Sequence, residues 1–422
     1  MNVFDEFQWR GMVYDATEGL SELLAKESVT AYIGFDPTAS SLHVGSLLTV
    51  MGLARLQRFG HTPIAIVGGG TGMIGDPKPT QERPLLDREE IERNVQGIKA
   101  QLMRFLDFDR AKNAALLVNN ADWLASFGVL DFLRDTGKYF TVNYLLQKEA
   151  VNRRLETEEG ISFTEFSYPL LQARDYLELF DRHGCMLQMG GSDQWGNITA
   201  GIELVRKLRS KRVHGLVWPL MKTAAGTKFG KTEQGTVWLD AARTPPFQFY
   251  QFWLNTQDSD VVTYLRCFTF LDRATIESLE AVTKSAPEKR EAQRVLAREV
   301  TALVHGADEA ARAAQGSERL FAGLSSEQSA EDVLAALADV PSTSVPASVL
   351  AAERPLAQWL VDTKLVTSKS EAARLIRGGG IYVNDVAVTD EKMRLGLKDL
   401  WQQTLIVLGK GKRQKHVLKL TE

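Results

Sequence analysis

The residues from Gly34 to Ser46 form a loop whose donors could hold an anion. The loop lies where a strand pattern gives way to a helix pattern, and the start of a helix favours negative charge. Gly45 would let a ligand approach closely, while Thr38, His43 and Ser46 add side-chain donors. Oriented donors of this kind suit a triphosphate whose charge shifts during a reaction. The alternative is a helix N-cap beside a buried, hydrogen-bonded histidine.

A second loop, Lys228-Phe229-Gly230-Lys231-Thr232, places two lysines around a glycine. Lysines on such a loop can close over a phosphate and leave with the product. Lysine, glycine and threonine also make up ordinary exposed turns, so the loop alone does not separate the two interpretations.

A polar stripe follows the spacing of a helix at Tyr168, Gln172 and Asp175. Positions i, i+4 and i+7 share one helix face, and Pro169 is expected in the first turn, where its missing N–H costs little. The turn Gly190 to Gln194 adds further polar groups. A tyrosine, an amide and a carboxylate together suit an amphoteric molecule such as an amino acid. The alternative is the solvated face of a surface helix.

Strand and helix patterns alternate around these residues. Strands are predicted over 29–35 and 63–67, with a helix from His43 to Phe59 between them, which is the unit of a doubly wound parallel sheet. The same alternation continues, and the sequence therefore predicts an α/β, Rossmann-like catalytic domain. The further elements are a helix over 88–106, a strand over 115–118, two helices within 126–154 and a strand over 186–189.

The chain divides into four predicted parts. Residues 1–240 hold the catalytic sheet, and residues 241–322 lack strand signals and form an α-helical subdomain. Residues 323–353 are rich in Ala and Ser and are predicted to be a linker. Residues 354–422 form a small α+β module with a helix near 370–377.

Composition excludes several classes of protein. At 422 residues the chain has room for about three domains, and 44 % hydrophobic and 24 % charged residues exclude wholesale disorder. No stretch approaches the roughly 18 apolar residues of a membrane span, and the N-terminus lacks the pattern of a secretory signal. The two cysteines, Cys185 and Cys267, exclude a disulfide scaffold, so a reducing cytoplasm is expected.

The net charge of −3 conceals an asymmetry. Residues 351–422 carry 13 Lys and Arg against 8 Asp and Glu, so this end is +5 and the remainder is −8. An acidic body with a basic end indicates catalysis in one part and a polyanion contact in the other. Chance clustering is the alternative.

Taken together, these motifs resemble those of the bacterial tyrosyl-tRNA synthetases, which are class I enzymes. His43-Val44-Gly45-Ser46 is similar to the HIGH signature, and residues 228–232 are similar to the KMSKS signature. The runs Tyr32 to Thr38, Ser162 to Tyr168 and Gly190 to Asn197 are more specific than either signature. The resemblance covers nearly the whole chain.

The resemblance implies an activity and a set of tyrosine ligands. L-tyrosine would be activated by ATP to tyrosyl-adenylate and pyrophosphate, and tyrosine would then pass to the terminal adenosine of its tRNA. Tyr32 and Asp175 would bind the phenolic hydroxyl of tyrosine. The ammonium and carboxylate groups would contact Asp76, Tyr168, Gln172 and Gln194.

The resemblance also implies an ATP site without a protein metal cage, since Mg²⁺ would accompany ATP. His43 and Thr38 would act on the phosphates, and Lys228 and Lys231 would stabilise the departing pyrophosphate. No tightly bound cofactor is implied. The residues expected at ATP are Gly34, Asp36, Thr38, His43, Ser46, Gly191, Asp193 and Lys231.

Two positions depart from the family pattern. The second histidine of the first signature is Ser46 here, which keeps a donor with shorter reach. Thr80 stands where many relatives have a lysine, so a phosphate role in that segment would rest on Arg83.

The C-terminal module resembles a small RNA-binding domain found in a ribosomal protein and in synthetases of this family. The similar runs are Ser370 to Arg377 and Gly380 to Asn384. The module would contact tRNA phosphates, which gives salt dependence without base reading; the alternative is a solvated charged helix. The resemblance further implies a homodimer with contacts near residues 118–155. The expected tRNA contacts are Arg374, Arg377, Lys410, Lys412, Arg413 and Lys415.

Three other functions compete with this interpretation. A tryptophanyl-tRNA synthetase shares the fold and both signatures, but Tyr32 with Asp175 and the basic module argue against it. Small nucleotidyltransferases use a similar histidine loop but lack the 160–197 block. A purely RNA-binding or splicing protein on a former synthetase scaffold would have no use for His43, Lys228 and Lys231.

Overall fold

The computed structural model describes residues 2–77, 83–158, 160–224, 226, 229–232, 235–322, 340–411 and 414–421, with the side chains of 231, 232 and 319–322 left aside. The chain separates into two compact units. One comprises residues 1–240 with 258–281, and the other comprises residues 241–257 with 282–422. Among the described residues, no helix is both long and apolar enough to cross a membrane.

The first unit is built on a six-stranded sheet in the order β1-β6-β5-β2-β3-β4. All neighbouring strands are parallel except β1, which is antiparallel to β6. The predicted doubly wound parallel sheet is therefore confirmed. The strands are β1 (Asp15–Ala16), β2 (Thr30–Phe35), β3 (Thr62–Val67), β4 (Leu116–Asn119), β5 (Cys185–Gly191) and β6 (His214–Trp218).

The order of strands reverses between β2 and β5. The chain runs from β2 outward to β3 and β4 on one side, and from β5 outward to β6 on the other. In open α/β sheets such a switch point leaves a crevice at the carboxyl ends of the strands, where ligands bind. The polar residues predicted from the sequence follow β2 and β5 at this point.

Helices cover this sheet and supply its apolar core. The region 126–154, predicted as two helices, contains three short ones, because Gly128, Thr141 and Lys148 each start a new helix. The helices of this unit are α1 (Val3–Trp9), α2 (Leu20–Lys26), α3 (Val44–Arg58), α4 (Arg88–Leu102), α5 (Ala121–Leu124), α6 (Val129–Asp135), α7 (Val142–Leu146), α8 (Glu149–Leu155), α9 (Phe163–His183), α10 (Trp195–Arg209), α12 (Asp258–Phe268) and most of α13 (Arg273–Ser285), and β7 (Lys231–Thr232) pairs with β8 (Gly235–Thr236).

The second unit begins with helices α11 (Pro246–Leu254), α14 (Glu291–His305) and α15 (Ala307–Ala322). Leu296, Val300 and Val304 recur at helical spacing in α14 and are buried, so they form the apolar face of this helix. Helix α12 and most of α13, which the sequence assigned to the same helical subdomain, cluster with the first unit instead.

The C-terminal module is a five-stranded sheet with its own core. Its strand order is β12-β11-β14-β15-β9, and β9 lies parallel to β15. The elements are β9 (Ser342–Pro346), α16 (Ala347–Ala351), β10 (Arg354–Pro355), α17 (Leu356–Asp362), α18 (Lys369–Arg377), β11 (Ile381–Val383), β12 (Val386–Val388), β13 (Arg394–Leu395), β14 (Leu405–Lys410) and β15 (Gln414–Thr421).

The module starts earlier in the chain than the sequence indicated. Val345 and Leu350, both in the predicted linker, are 2 % and 0 % exposed and belong to the apolar cluster of the module. The serines and prolines of this stretch suggested a linker, but β9 completes the edge of the sheet beside β15. Residues 342–351 are therefore part of the module.

Candidate functional site

A cavity of about 360 Å³ opens at the carboxyl ends of β2 and β5. It brings together residues from two of the three stretches that the sequence singled out, the 34–46 loop and the polar stripe with its 190–194 turn, while no described residue of the loop 228–232 lines it. Among the predicted ligands, those that line it are Tyr32, Gly34, Asp36, His43, Ser46, Asp76, Tyr168, Gln172, Asp175, Gly191, Asp193 and Gln194.

At one end of the cavity lies the carboxylate of Asp175, which is 3 % exposed. Its Oδ1 accepts a hydrogen bond of 2.7 Å from the indole N–H of Trp123, and its Oδ2 accepts one of 2.9 Å from Asn120. Burial raises the pKa of the Asp175 carboxyl to about 7, against the lowering effect of these two donors. Each oxygen keeps a lone pair for a further donor.

The hydroxyl of Tyr32 is buried and has no hydrogen-bond partner among the described residues. The ring packs edge-on against Tyr176 with centroids 5.2 Å apart. Burial, together with the charge of Asp175, raises the pKa of this phenol well above its ordinary value. An unpaired buried hydroxyl costs about 1–3 kcal/mol, so a ligand that supplies a partner here gains from doing so.

Asp36 also lines the cavity, and its carboxylate accepts two hydrogen bonds there. Its Oδ2 accepts a hydrogen bond of 2.8 Å from the Tyr168 hydroxyl, and its Oδ1 accepts one of 2.7 Å from Thr71. Thr71 in turn accepts from Asn120, which donates to Asp175. Burial raises the pKa of Asp36. The two carboxylates are thus linked through one chain of hydrogen bonds.

A second network surrounds Asp76. Its Oδ2 accepts a hydrogen bond of 2.8 Å from Gln194, and its Oδ1 accepts one of 3.1 Å from Asn197. Gln172 donates to Gln194 and accepts from Asn197, at 3.2 and 3.1 Å. Burial raises the pKa of the Asp76 carboxyl to about 6. A cationic group would find carboxylate and amide oxygens together here.

Helix α9 carries the polar stripe, and its start differs from the prediction. Ser162 caps the helix by accepting from the backbone N–H of Glu165. Pro169 therefore lies inside the helix, one turn later than expected, where it cannot donate to the carbonyl four residues before it. Tyr168 and Asp175 remain on one face, as predicted, and both are buried.

Backbone amides at the start of α3 already have hydrogen-bond partners within the protein. The backbone N–H of Val44 donates to the carbonyl of Val237 over 3.0 Å, and that of Ser46 donates to His43 over 2.8 Å. A Cβ at position 45 would lie 2.7 Å from Cε1 of His43, so Gly45 makes room for the imidazole. Two backbone amides at this helix start are therefore not available to an anion, because strand-like pairing with Val237 engages that of Val44 and the helix turn engages that of Ser46.

Two other predicted positions near the phosphates have different surroundings. Thr38 is exposed and lies outside the residues that line the cavity. Arg83 lines the cavity and donates from Nε to the carbonyl of Asp76 over 2.9 Å. Thr80 lies outside the described residues.

The glycine-rich loop is described only in part. Phe229 and Gly230 are described, and Lys231 contributes backbone to β7. Lys228 and the side chain of Lys231 lie outside the described residues, so their predicted roles stay predictions.

The basic residues of the C-terminal module are engaged in ion pairs to different extents. Arg374 is exposed on α18. Arg377 pairs with Glu391 at 2.8 Å, and Lys410 pairs with Glu371 at 2.9 Å. Lys415 pairs with Asp385 at 2.5 Å, while Lys412 and Arg413 lie outside the described residues.

Sequence reasoning missed several residues that orient the ligand-facing groups. Thr71 follows β3, and Asn120 and Trp123 follow β4. The carboxyl ends of parallel strands meet at one edge of the sheet, so this position is the sequence signal that could have identified them. Asn197 falls in the quoted run that starts at Gly190 but received no role. Gln188 is 2 % exposed, lines the cavity, and faces Tyr32 across neighbouring strands.

Comparison with known proteins gives consistent results over the whole chain. The family described as class I tRNA synthetases (W and Y) matches residues 24–322, and the tyrosine–tRNA ligase SYY-like C-terminal domain matches residues 332–418. The tyrosine–tRNA ligase of Roseiflexus castenholzii is 54 % identical over 99 % of both chains. That of Geobacillus stearothermophilus is 48 % identical over 99 % of this chain and all of its own.

Solved structures agree with the fold. A C-terminally truncated Aspergillus nidulans mitochondrial tyrosyl-tRNA synthetase has a TM-score of 0.69 at 31 % identity, covering 76 % of this chain and 94 % of its own. A Plasmodium falciparum tryptophanyl-tRNA synthetase has a TM-score of 0.53 at 14 % identity over 78 % and 87 %. The second likeness shows the fold alone.

Proposed function

Because this chain belongs to the bacterial tyrosine–tRNA ligases of class I, we propose specific roles for the residues that its cavity assembles. The enzyme activates L-tyrosine with ATP and then transfers tyrosine to its tRNA. The observation that supports the assignment of roles best is the unpartnered Tyr32 hydroxyl at the end of the cavity where Asp175 lies.

Tyrosine is oriented with its phenol toward Tyr32 and Asp175. The substrate hydroxyl donates a hydrogen bond to Asp175 and accepts one from Tyr32. These two bonds use the remaining acceptor capacity of Asp175 and the unused donor of Tyr32. The ammonium group lies among Asp76, Tyr168 and Gln172, where a positive charge offsets the cost of the buried carboxylates. Gln194, which already bridges Asp76 and Gln172, is close to the substrate carboxylate.

ATP occupies the side of the cavity formed by the first turn of α3 and the end of β5. His43, Ser46 and Gly34 contact the phosphates, and Gly191 and Asp193 hold the ribose. Asp36 takes part in this site by accepting the hydrogen bond from the Tyr168 hydroxyl, which holds that side chain in place. Mg²⁺ enters with the ATP phosphates, since it keeps most of its waters and prefers substrate phosphates to a protein cage.

Activation is an in-line displacement. An oxygen of the tyrosine carboxylate forms a bond to the α-phosphorus, and the bond from that phosphorus to the leaving pyrophosphate breaks. Lys228, Lys231, His43 and Thr38 stabilise the charge that develops on the phosphates. In the second step a hydroxyl of the terminal adenosine attacks the activated carbonyl and releases AMP. Positioning and charge stabilisation suffice, without a protein nucleophile.

Asp175→Asn tests the tyrosine site. The amide cannot accept from both Trp123 and Asn120 as the carboxylate does, so tyrosine-dependent ATP–pyrophosphate exchange falls sharply while tRNA binding persists. Equal loss of exchange and tRNA binding would indicate misfolding and would remove the support for the site. Exchange driven by tryptophan rather than tyrosine would contradict the orientation of the substrate.

The C-terminal module, from residue 342 onward, holds tRNA through phosphate contacts. Arg374 is exposed, and Arg377 and Lys410 exchange their carboxylate partners for phosphates. Lys412, Arg413 and Lys415 extend the same basic end of the chain.

The enzyme acts as a homodimer in the cytoplasm. Support for the dimer comes from large apolar side chains exposed within or beside residues 118–155, which a partner copy would cover. Their exposed fractions run from 47 % to 79 %: Val129, Leu130, Leu133, Val142, Leu155 and Phe163.

A further inference from the structure

Phe229, in the middle of the glycine-rich loop, is seated in an aromatic pocket on α12. Its ring centroid lies 4.9 Å from that of Tyr264 and 5.2 Å from that of Phe268, the latter nearly parallel at 15°. Tyr264 and Phe268 are four residues apart and share a face of α12. Phe229 is only 5 % exposed. An apolar ring buried to this extent fixes the backbone on either side of it.

The next residue, Gly230, presses on the first turn of α3. Its φ is +82°, and a Cβ there would lie 2.7 Å from Cγ2 of Val44 and 3.3 Å from the backbone nitrogen of Gly45. Gly230 also accepts a hydrogen bond from the backbone N–H of Val237, whose carbonyl accepts from Val44. Residues 229–230 are thus held between the HIGH-like turn and α12.

Helix α12 also holds the chain before this loop. Asp260, in its first turn, accepts from the backbone N–H of Ala224 at 3.1 and 3.2 Å through its two carboxylate oxygens. Ala224 and Phe229 therefore bind to the same helix one to two turns apart.

The other end of α12 is fixed to α3. The buried guanidinium of Arg55, near the end of α3, donates to the carbonyl of Thr269 over 2.6 Å and to that of Arg266 over 3.0 Å. Arg10 donates to the same two carbonyls. These hydrogen bonds fix α12 to α3 within the same compact unit, although the sequence placed α12 in a separate subdomain.

We propose that α12 is the anchor of the glycine-rich loop and that Phe229 is a positioning residue for tyrosine activation. Seated on Tyr264 and Phe268, Phe229 sets where the loop presents its lysines to the leaving pyrophosphate. This inference rests on the role proposed for Lys231. It assigns a function to an apolar residue and to a helix that contribute nothing to the cavity lining.

A double-mutant cycle between Phe229→Leu and Lys231→Ala tests the inference by steady-state ATP–pyrophosphate exchange. Phe229→Leu alone should lower kcat by about 10- to 100-fold, as misplacement of a charge-stabilising group does, with KM for tyrosine within about twofold of the wild type. In the Lys231→Ala background the same change should cost less than about threefold, because the two residues act as a unit.

Phe268→Leu, which removes the facing ring from α12, should reproduce both results. Phe249→Leu is the matched control, because Phe249 is buried against Trp253 and His305 in the other compact unit. It should lower the melting temperature by a similar amount and leave kcat unchanged.

An equal loss of kcat in both backgrounds, or a parallel rise of KM for tyrosine, would overturn the inference, because either is the signature of a purely structural residue. If Lys231→Ala itself leaves kcat unchanged, the role proposed for the lysine fails and the inference falls with it. A loss that appears in Phe229→Leu but not in Phe268→Leu would also reject α12 as the anchor.

Discussion

The indole N–H of Trp123 donates to Oδ1 of Asp175 over 2.7 Å, with both side chains 3 % exposed. Asn120 donates to the other oxygen. Two neutral donors stabilise the charged form of a carboxyl that burial otherwise favours as neutral, and its pKa is about 7 as a result of this balance. The hydrogen bond proposed between Asp175 and the substrate hydroxyl therefore depends on Trp123.

Trp123→Phe should weaken the binding of tyrosine and reduce discrimination against phenylalanine. Loss of one donor to the buried carboxylate costs about 1–2 kcal/mol, which corresponds to roughly a tenfold rise in KM for tyrosine. Phenylalanine has no hydroxyl to present, so its kcat/KM should change less. ATP–pyrophosphate exchange with both amino acids measures the ratio.

Trp359→Phe is the control for Trp123→Phe. Trp359 is also a buried indole, but it lies in the apolar core of the C-terminal module, and no described residue pairs with its N–H. That variant should leave both kcat/KM values unchanged. A Trp123→Phe enzyme with wild-type discrimination would show that Asp175 does not need the indole.

Binding of tyrosine should strengthen as the pH rises from 5 to 8. Folding raises the pKa of Asp76 to about 6 and that of Asp175 to about 7, both above the ordinary 3.8. Because folding raises these two pKa values, the ligand-free protein is stabilised by the neutral carboxyls in acid. It loses that stability as the pH rises through 6 and 7 and the carboxyls ionise. A bound ammonium group and phenol reverse that loss. The increase in melting temperature at a fixed tyrosine concentration should therefore grow over this interval.

Two analogues separate the contributions of the carboxyls. Phenylalanine carries the ammonium group without the hydroxyl, so its binding should follow Asp76 and level off above pH 7. A tyrosine analogue that keeps the phenol and the carboxylate but lacks the ammonium group should bind in step with the ionisation of Asp175. Its binding should level off about one pH unit higher than that of phenylalanine, in line with the two pKa values. A melting shift that does not change between pH 5 and 8 would contradict ionised carboxylates as the ligands.

The sequence predicted the sheet and most of the polar residues that line the cavity because each carries a local signal. A glycine that ends a helix, such as Gly60 after α3, or three polar residues on one face of α9, can be recognised without knowing the rest of the fold. Tyr32, Asp76 and Asp175 were then assigned by resemblance, and the structure brings all three to one cavity.

The remaining contacts depend on residues far apart in the chain. Asn120 orients Asp175 across 55 positions, and Val237 occupies the Val44 amide across nearly 200, so no spacing rule could reveal either. Residues 342–351 have the composition of a linker, and only pairing of β9 with β15 shows that they belong to the sheet. Tertiary contacts decided each of these cases against the local pattern.

Leu130→Glu should convert the proposed homodimer to a monomer. Leu130 is 79 % exposed on α6 beside Val129 and Leu133, and a carboxylate at the centre of a buried apolar contact would be desolvated without a partner. Sedimentation velocity at micromolar concentration measures the change. Val386→Glu, at a site 68 % exposed in the C-terminal module, should leave the oligomeric state unaltered. A Leu130→Glu dimer as tight as the wild type would place the interface elsewhere.

Removing single charges from the C-terminal module should change tRNA affinity in opposite directions. Arg374 is exposed, so Arg374→Ala should raise KM for tRNA several-fold and lower the slope of log affinity against log salt by about one. Arg377 pairs with Glu391 at 2.8 Å, so a phosphate that binds Arg377 must displace that carboxylate. Glu391→Gln should therefore tighten tRNA binding, and the gain should vanish when Arg377 is also changed to Ala.

Filter binding across a salt series measures both effects, and tyrosine-dependent exchange without tRNA serves as the control. None of these side chains lines the cavity, so exchange should stay at the wild-type rate in every variant. If Glu391→Gln weakens tRNA binding, the ion pair orients Arg377 for the phosphate rather than competing with it. An unchanged salt slope in Arg374→Ala would show that its guanidinium meets no phosphate, and the RNA contact would then lie on another face of the module.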